Sequence, residues 1–282
     1  PTLTRGFIEM LLVLIIGAVV GLVLGLTGAG GSLFAVPLLI LGLGLGATEA
    51  TGLALGAVAS SALWGILQRL HHKEVVWVPA LILATSGALM APLGRWLAGM
   101  VADIWLLIGF AFLVLVVAIR MWQQAQREPE KVRVTRSGRG SSAGNNAPLC
   151  QFSTSGRLEL GSRCLGGIVI GGLVSGLISG LFGVGGGFII VPLLMLLTGL
   201  EMAQAVATSL VVIAITSSAG FASYILLGSP VDLNLLILLA AGGAAGMLLG
   251  STFAHRLAGP KLQKLFVVLM LLLTAASLTK MV

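Results

Sequence analysis

The sequence predicts an all-α polytopic membrane protein of about ten hydrophobic helical segments, arranged as two homologous five-segment repeats. Three observations carry this. Of the 282 residues, 57% are hydrophobic and 9% charged, against roughly 25% charged in an ordinary soluble domain. The charged residues punctuate the chain into apolar runs, most of them near the ~20 residues that span a hydrocarbon core about 30 Å thick. A glycine-rich segment of the first half also recurs in the second. A water-soluble globule is excluded. The net charge of +7 and pI near 10.3 do not point to nucleic acid. That partner needs a broad basic face with polar or aromatic readers, whereas these charges lie in clusters between apolar runs. The surroundings implied are a lipid bilayer.

In chain order the runs are 7–26, 32–46, 50–67, 75–94 and 104–122, then 165–182, 187–199, 202–227, 233–254 and 262–279. The first is long for a signal-peptide core and lacks a clear small-residue cleavage site, so it reads as a first helix. The runs 32–46 and 187–199 cover only about 20 to 23 Å at 1.5 Å per residue, so they are short, tilted or re-entrant. Hydrophobicity all round, with no sustained polar stripe, favours helices over alternating barrel strands. The organisation expected is an N-terminal membrane repeat over 1–122, a linker over 123–163 and a C-terminal membrane repeat over 164–282.

The linker is rich in Ser, Gly, Asn and Pro, which marks it as flexible. It carries Arg127, Lys131, Arg133, Arg136, Arg139, Arg157 and Arg163 against Glu128, Glu130 and Glu159. A short basic loop belongs on the cytoplasmic side. Cys150 and Cys164, in or beside it, read as incidental thiols, since two cysteines give neither a metal set nor a disulfide framework.

The duplication is explicit. Residues 25–39, GLTGAGGSLFAVPLL, align with 180–194, GLFGVGGGFIIVPLL, with nine of fifteen positions identical. Gly17 and Gly21 fall on Gly172 and Gly176, and Thr51 and Ser60 on Thr208 and Ser217. Five crossings per half would invert the second half relative to the first. With both termini outside, every Lys and Arg except Arg5, Arg95 and Lys280 is cytoplasmic. Four spans per half with both termini inside give a similar bias, so charge alone does not separate the two topologies.

The repeated motif carries the functional expectation. Gly28, Gly30 and Gly31, and Gly183, Gly185, Gly186 and Gly187, permit positive φ and close backbone approach. Together with Pro37 and Pro192 they mark helix breaks. Such backbone survives at membrane depth only where protein or a water-filled cavity covers it. The short helices that follow, starting near Ser32 and Gly187, would present unpaired N–H groups and a positive dipole end, suited to an anion. The plain alternative is that the glycines only let helices pack closely. Hydroxyls follow at Thr51, Ser60 and Ser61, and at Thr208, Ser209, Thr216, Ser217 and Ser218. Any of them could donate to an anion's oxygens or bond backbone carbonyls and neighbouring helices. Residues 51 and 60, like 208 and 217, lie about two and a half turns apart and cannot all meet one ligand.

Glu9, Glu49, Arg95, Asp103, Glu201 and Asp232 fall mostly at run ends, where exposure or capping explains them. Glu49 and Glu201 could instead bind protons, and Arg95 either pairs with Asp103, the favoured reading, or attracts an anion at the external mouth. His71, His72 and His255 sit at loop boundaries. No recognisable set of nucleophile, base or metal ligands emerges, so neither an enzyme, a cofactor nor a metal is expected. The absence of a Walker A pattern argues against ATP-driven transport by this chain.

The paired motifs, with Val36-Pro37 and Val191-Pro192 and the later Ala207-Thr208-Ser209-Leu210, resemble the sulfite exporter TauE/SafE family, also called the TSUP permeases, over nearly the whole chain. The resemblance implies a multi-pass inner-membrane carrier for sulfur-containing or organic anions such as sulfite, thiosulfate, sulfoacetate or related sulfonates. It also favours the inverted arrangement. One departure is that the first half has Thr51-Gly52-Leu53 where the second has Thr208-Ser209-Leu210, which makes the two halves unequal. The expected mechanism is alternating access around a midplane anion site held by Gly28–Ser32 and Gly185–Gly187 with Thr208 and Ser217. A cation channel or carrier built on the carbonyls of the same broken helices, and a non-transporting scaffold, stay open, as does a homo-oligomer.

Overall fold

The computed structural model describes residues 2–28, 31–70, 74–127, 151–152, 158–159, 162–198, 200, 202–227, 232–257 and 260–281. Ten helices lie within them: α1 (Thr2–Thr27), α2 (Gly31–Leu43), α3 (Ala47–Leu70), α4 (Trp77–Met100), α5 (Asp103–Arg127), α6 (Ser162–Phe182), α7 (Gly187–Thr198), α8 (Met202–Leu226), α9 (Leu233–Leu257) and α10 (Pro260–Met281). Each covers one of the ten apolar runs. Between α5 and α6, β1 (Gln151–Phe152) pairs antiparallel with β2 (Leu158–Glu159). Seven helices are long and apolar enough to cross a membrane, while α2, α7 and the apolar stretch Lys264–Thr279 of α10 are shorter. The protein is a polytopic helical membrane protein.

Helix directions follow from which residues meet. On α1, Gly17, Gly21 and Gly25 face Leu239, Gly243 and Met247 of α9 in the same order, so the two run parallel. On α6, Gly172, Gly176 and Gly180 face Leu83, Gly87 and Ala91 of α4, again in parallel. The first repeat thus packs its outer helix on the second, and the second returns the same contact. At the centre, Gly52, Gly56 and Gly65 of α3 face Tyr224, Phe221 and Leu210 of α8, in reverse order, so this pair is antiparallel. Gly56 and Gly65 also meet Leu236 and Met247, which makes α3 parallel to α9. Along α4 and α8, Val76 meets Thr208 and Arg95 meets Tyr224, which makes those two parallel.

Helices α1, α3 and α9 therefore point one way, and α4, α6 and α8 the other. Because α1 and α3 agree, α2 must carry the chain back between the two ends. It does so against α1, with Gly31 beside Leu24 and Gly42 beside Leu12. In the same way α7 returns along α6, with Leu193 against Gly171 and Leu197 against Gly167. The four-span topology, which needs α1 and α3 opposed, does not fit. The halves are inverted repeats related by a two-fold axis across the bundle. The Thr48 hydroxyl, at the start of α3, donates to Asp103 at the start of α5 (2.6 Å), and Lys264 at the start of α10 lies over the Trp122 ring near the end of α5 (5.4 Å). One end of the bundle, the terminus end, holds the starts of α1, α3 and α5. The other, the linker end, holds their finishes.

Small residues make the interlocking feasible. A β-carbon on Gly21 would fall on the Gly243 carbonyl, and one on Gly176 on the Gly87 carbonyl. Without a hydrophobic force between helices in lipid, such backbone approach supplies dispersion contact where larger side chains would hold the helices apart. Around the outside, Met10, Ile15, Trp105, Phe112, Ile170, Ile237 and Leu272 are exposed, as a lipid-facing belt requires. The central α3 and α8 are the most buried of the candidate spans.

Two expectations are corrected. The chain breaks before Pro37 and Pro192 rather than at them: α2 and α7 continue through both prolines. Each proline lacks only the one N–H that would have bonded back to the carbonyl four residues earlier, Leu33 or Phe188, and the surrounding helices hold the short segment. Cys164, buried at the start of α6, is disulfide-bonded rather than an incidental thiol. Spacing along the chain carried no measure of whether a second sulfur reaches it. Cys150 lies outside the described residues.

Candidate anion site between the repeats

The turn between α6 and α7 is built from left-handed glycines: Gly183 at φ +70°, Gly185 and Gly186 at +67°. A side chain at these φ values is strained, so glycine is the residue that fits. The Gly183 N–H closes α6 on the Ser179 carbonyl (2.9 Å), and Ile189 and Ile190 open α7 by donating to the Gly186 carbonyl (3.1 and 3.2 Å). The N–H groups of Gly185, Gly186, Gly187 and Phe188 find no backbone acceptor among the described residues. They are the unpaired donors expected at a helix start.

Beside them stands Ser217, fully buried near the middle of α8, whose Oγ has no hydrogen-bond partner. A β-carbon on Gly185 would come within 2.9 Å of that Oγ and 3.0 Å of Val58 near the middle of α3. Ser179, one turn before Gly183, is likewise buried with an unpartnered Oγ. Backbone and hydroxyl donors thus collect in the seam between the repeats, near the middle of the bundle and under the positive end of the α7 dipole. Donors without acceptors suit a bound anion.

The other expected residues lie elsewhere. Gly28 (φ +71°) spends its N–H on the Leu24 carbonyl (2.7 Å) and packs against Val206. Ser209 donates to the Gly28 carbonyl (3.2 Å) and to that of Val206 (2.8 Å). Thr208 accepts the Val76 N–H (3.1 Å). These three tie the linker end together. Gly31 packs on Val20 and Leu24, Ser32 is buried, and Ser60 donates to the Ala57 carbonyl (2.9 Å). Gly30 lies outside the described residues. At the terminus end Thr51 lies against Gly183 and donates to the Thr48 carbonyl (2.8 Å). Gly28 and Gly183 sit at opposite ends, because they terminate helices that run in opposite directions.

Sequence reasoning passed over Ser175, whose carbonyl lies 2.9 Å from a β-carbon on Gly186, as well as Ser179 and Tyr224, and it misplaced Arg95. Arg95 is 2% exposed. Its Nη1 donates to Thr51 Oγ1 (3.0 Å), its guanidinium lies 4.7 Å from the centre of the Tyr224 ring, and its Nε has no partner. The expected Arg95–Asp103 pair does not form, because the Asp103 carboxylate takes the Thr48 hydroxyl and N–H. Among the described residues the one ion pair is Arg69–Glu74 (3.4 Å). Glu49 is exposed in the first turn of α3, and Asp232 caps α9 through the Asn234 N–H (2.9 Å). Glu201, His71 and His72 lie outside the described residues. Among those described, no three His, Cys, Asp or Glu are grouped to hold a metal ion.

Residues 13–277 match the family described as sulfite exporter TauE/SafE. A "probable membrane transporter protein" of Xylella fastidiosa strain 9a5c is 29% identical over 242 residues, 84% of each chain. One of the same description from strain Temecula1 is 28% identical over 252 residues, 87% of this chain and 85% of the relative. No solved structure matches. With nearly its full length matched and its helices arranged as inverted repeats about a glycine-lined seam, the chain belongs to the sulfite exporter TauE/SafE family of membrane proteins.

Proposed function

We propose that this membrane transporter is a secondary carrier of a small anion, a sulfur oxyanion or organosulfonate such as sulfite, thiosulfate or sulfoacetate, working by alternating access. The observation that carries the reading is the cluster of unused donors: the N–H groups of Gly185 to Phe188 beside the unpartnered, buried Ser217 Oγ. A cation site would be expected to present carboxylates, and none of the described residues places one beside Ser217. The buried seam corresponds to an occluded state, and movement of one repeat against the other about the α3–α8 pair would open it to each side in turn. Charge bias orients the chain in an inner membrane with the basic linker cytoplasmic and both termini outside. In that orientation the interior-negative potential drives anion efflux by about 2.3 kcal/mol per charge per 100 mV, so export needs no coupling ion. No catalytic step is part of this reading.

The test is a thermal-shift titration of the detergent-purified protein with sulfite, thiosulfate, sulfate, sulfoacetate, taurine and chloride, repeated on Gly185→Leu. Selective stabilisation by a sulfur anion that the variant loses supports the reading. Absence of stabilisation by every anion, or an unchanged response of the variant, counts against it.

A further inference from the structure

We propose that Arg95 is the countercharge of the transported anion. Its guanidinium edge would bind two oxygens of a singly charged sulfonate at the terminus end of the seam, from where the anion passes to the neutral donors around Ser217. This rests on the anion-transport reading above and narrows its substrate class.

Arg95 is a fully charged group buried within a membrane-crossing helix, and no carboxylate of the described residues lies within ion-pair distance. Burying a charge without a partner is costly, and such residues in membrane helices mark ligand paths. Its two contacts, the Thr51 hydroxyl and the Tyr224 ring, orient the guanidinium, the Asp103 charge acts on it only from beyond ion-pair distance, and Nε is left over. A planar fork with its Nε–H unspent keeps donor geometry that matches the oxygens of an oxyanion. The position joins the seam. Gly183, which opens the turn carrying the free N–H groups, rests on Thr51. Tyr224 and Ser217 are seven residues apart on α8, about 10 Å at 1.5 Å per residue.

The pseudo-two-fold supplies an internal control. Gly180 faces the Ala91 carbonyl and the Arg95 nitrogen just as Gly25 faces the Met247 carbonyl and the Ser251 nitrogen, so Ser251 occupies the place of Arg95 at the linker end. There Ser251 donates to Gln68 Oε1 (2.7 Å), leaving Gln68 Nε2 buried and unpartnered. The same helix crossing is therefore built without any charge, and packing does not require Arg95. One guanidinium balances one negative charge, whereas a dianion would leave a net charge buried, so singly charged oxyanions are preferred.

The test uses the full chain in detergent, with methanesulfonate, sulfate and chloride at matched ionic strength, for wild type, Arg95→Met and Arg95→Lys. Wild type is expected to bind methanesulfonate more tightly than sulfate. Without anion, Arg95→Met should melt no lower than wild type, while its Kd for methanesulfonate rises at least tenfold. An unchanged Kd, a preference of wild type for sulfate, or an anion-free Arg95→Met that melts well below wild type overturns the proposal, the last by making the arginine architectural. If Arg95→Met does not survive purification, Arg95→Lys decides: it keeps the charge but not the fork, so Kd should still rise at least threefold, and an unchanged Kd refutes the role. Binding of anions by wild type with no effect of either variant removes only this inference. Binding of no anion by wild type removes the transport reading as well.

Discussion

Replacing Gly21 by Ala adds one methyl group where α1 crosses α9. Its β-carbon would lie 2.7 Å from the Gly243 carbonyl carbon and 2.8 Å from the Gly243 Cα, where ordinary contact begins at 3.4 Å. The obstructing atoms are backbone and the Gly243 carbonyl oxygen is nearer still, so the helices must separate by more than about 0.6 Å, the difference between 3.4 and 2.8. Overpacking of this kind costs roughly 1 to 3 kcal/mol, here at the upper end, and the better helix propensity of Ala returns about 1 kcal/mol. The net expectation is a loss of about 2 kcal/mol. The inverted symmetry adds a second demand. Gly176→Ala meets the Gly87 carbonyl carbon at 2.6 Å and should cost the same, and the double variant about twice as much, because the two crossings share no residues. Gly99→Ala, with nothing within 4 Å of its β-carbon, should be neutral or up to about 1 kcal/mol more stable. Tryptophan-fluorescence melting in detergent ranks the four variants. If Gly21→Ala and Gly176→Ala melt with Gly99→Ala, the two outer helices do not lie backbone to backbone on the opposite repeat.

Ser217→Ala removes a buried hydroxyl that has no partner, so anion-free melting should stay level or rise, while anion affinity falls up to about tenfold, the worth of one hydrogen bond; titration melting reads both. Gly185→Leu forces a side chain onto a +67° φ and against Ser217, and should lower melting by about 1 to 2 kcal/mol and abolish the anion response. Asp103→Ala leaves the Thr48 N–H and hydroxyl without their acceptor and should cost about 1 to 3 kcal/mol, read by melting without anion.

Ten helices and their doubling were legible because apolar run length and glycine spacing are local properties. Direction was not. Charge bias fits four or five spans per half, and the order in which the α3 glycines meet α8 and α9 distinguishes them. The matched glycine motifs are alike in sequence, but repeats inverted in space put Gly28 and Gly183 at opposite ends. Thr208 and Ser209 looked like ligand donors, and their bonds go to Val76, Gly28 and Val206, partners far away or invisible in a pattern of residue types. Pairing of Arg95 with Asp103 was favoured over an anion contact because Arg95 falls one residue past an apolar run. The helical face tells more: Gly87, Ala91 and Arg95 recur every four residues, as do Gly243, Met247 and Ser251, and this four-residue step placed Arg95 on the small-residue face that packs against α6.

The central claim, an anion carried through the donor-lined seam, is tested most directly by counterflow in proteoliposomes. Vesicles holding the purified protein are loaded with unlabelled sulfite or methanesulfonate and exposed to a labelled trace of the same anion. The account predicts transient accumulation by wild type, slowed by Ser217→Ala and abolished by Gly185→Leu, with no exchange of labelled sodium or potassium. Accumulation no greater than in protein-free vesicles, or exchange of a cation in place of the anions, would contradict it.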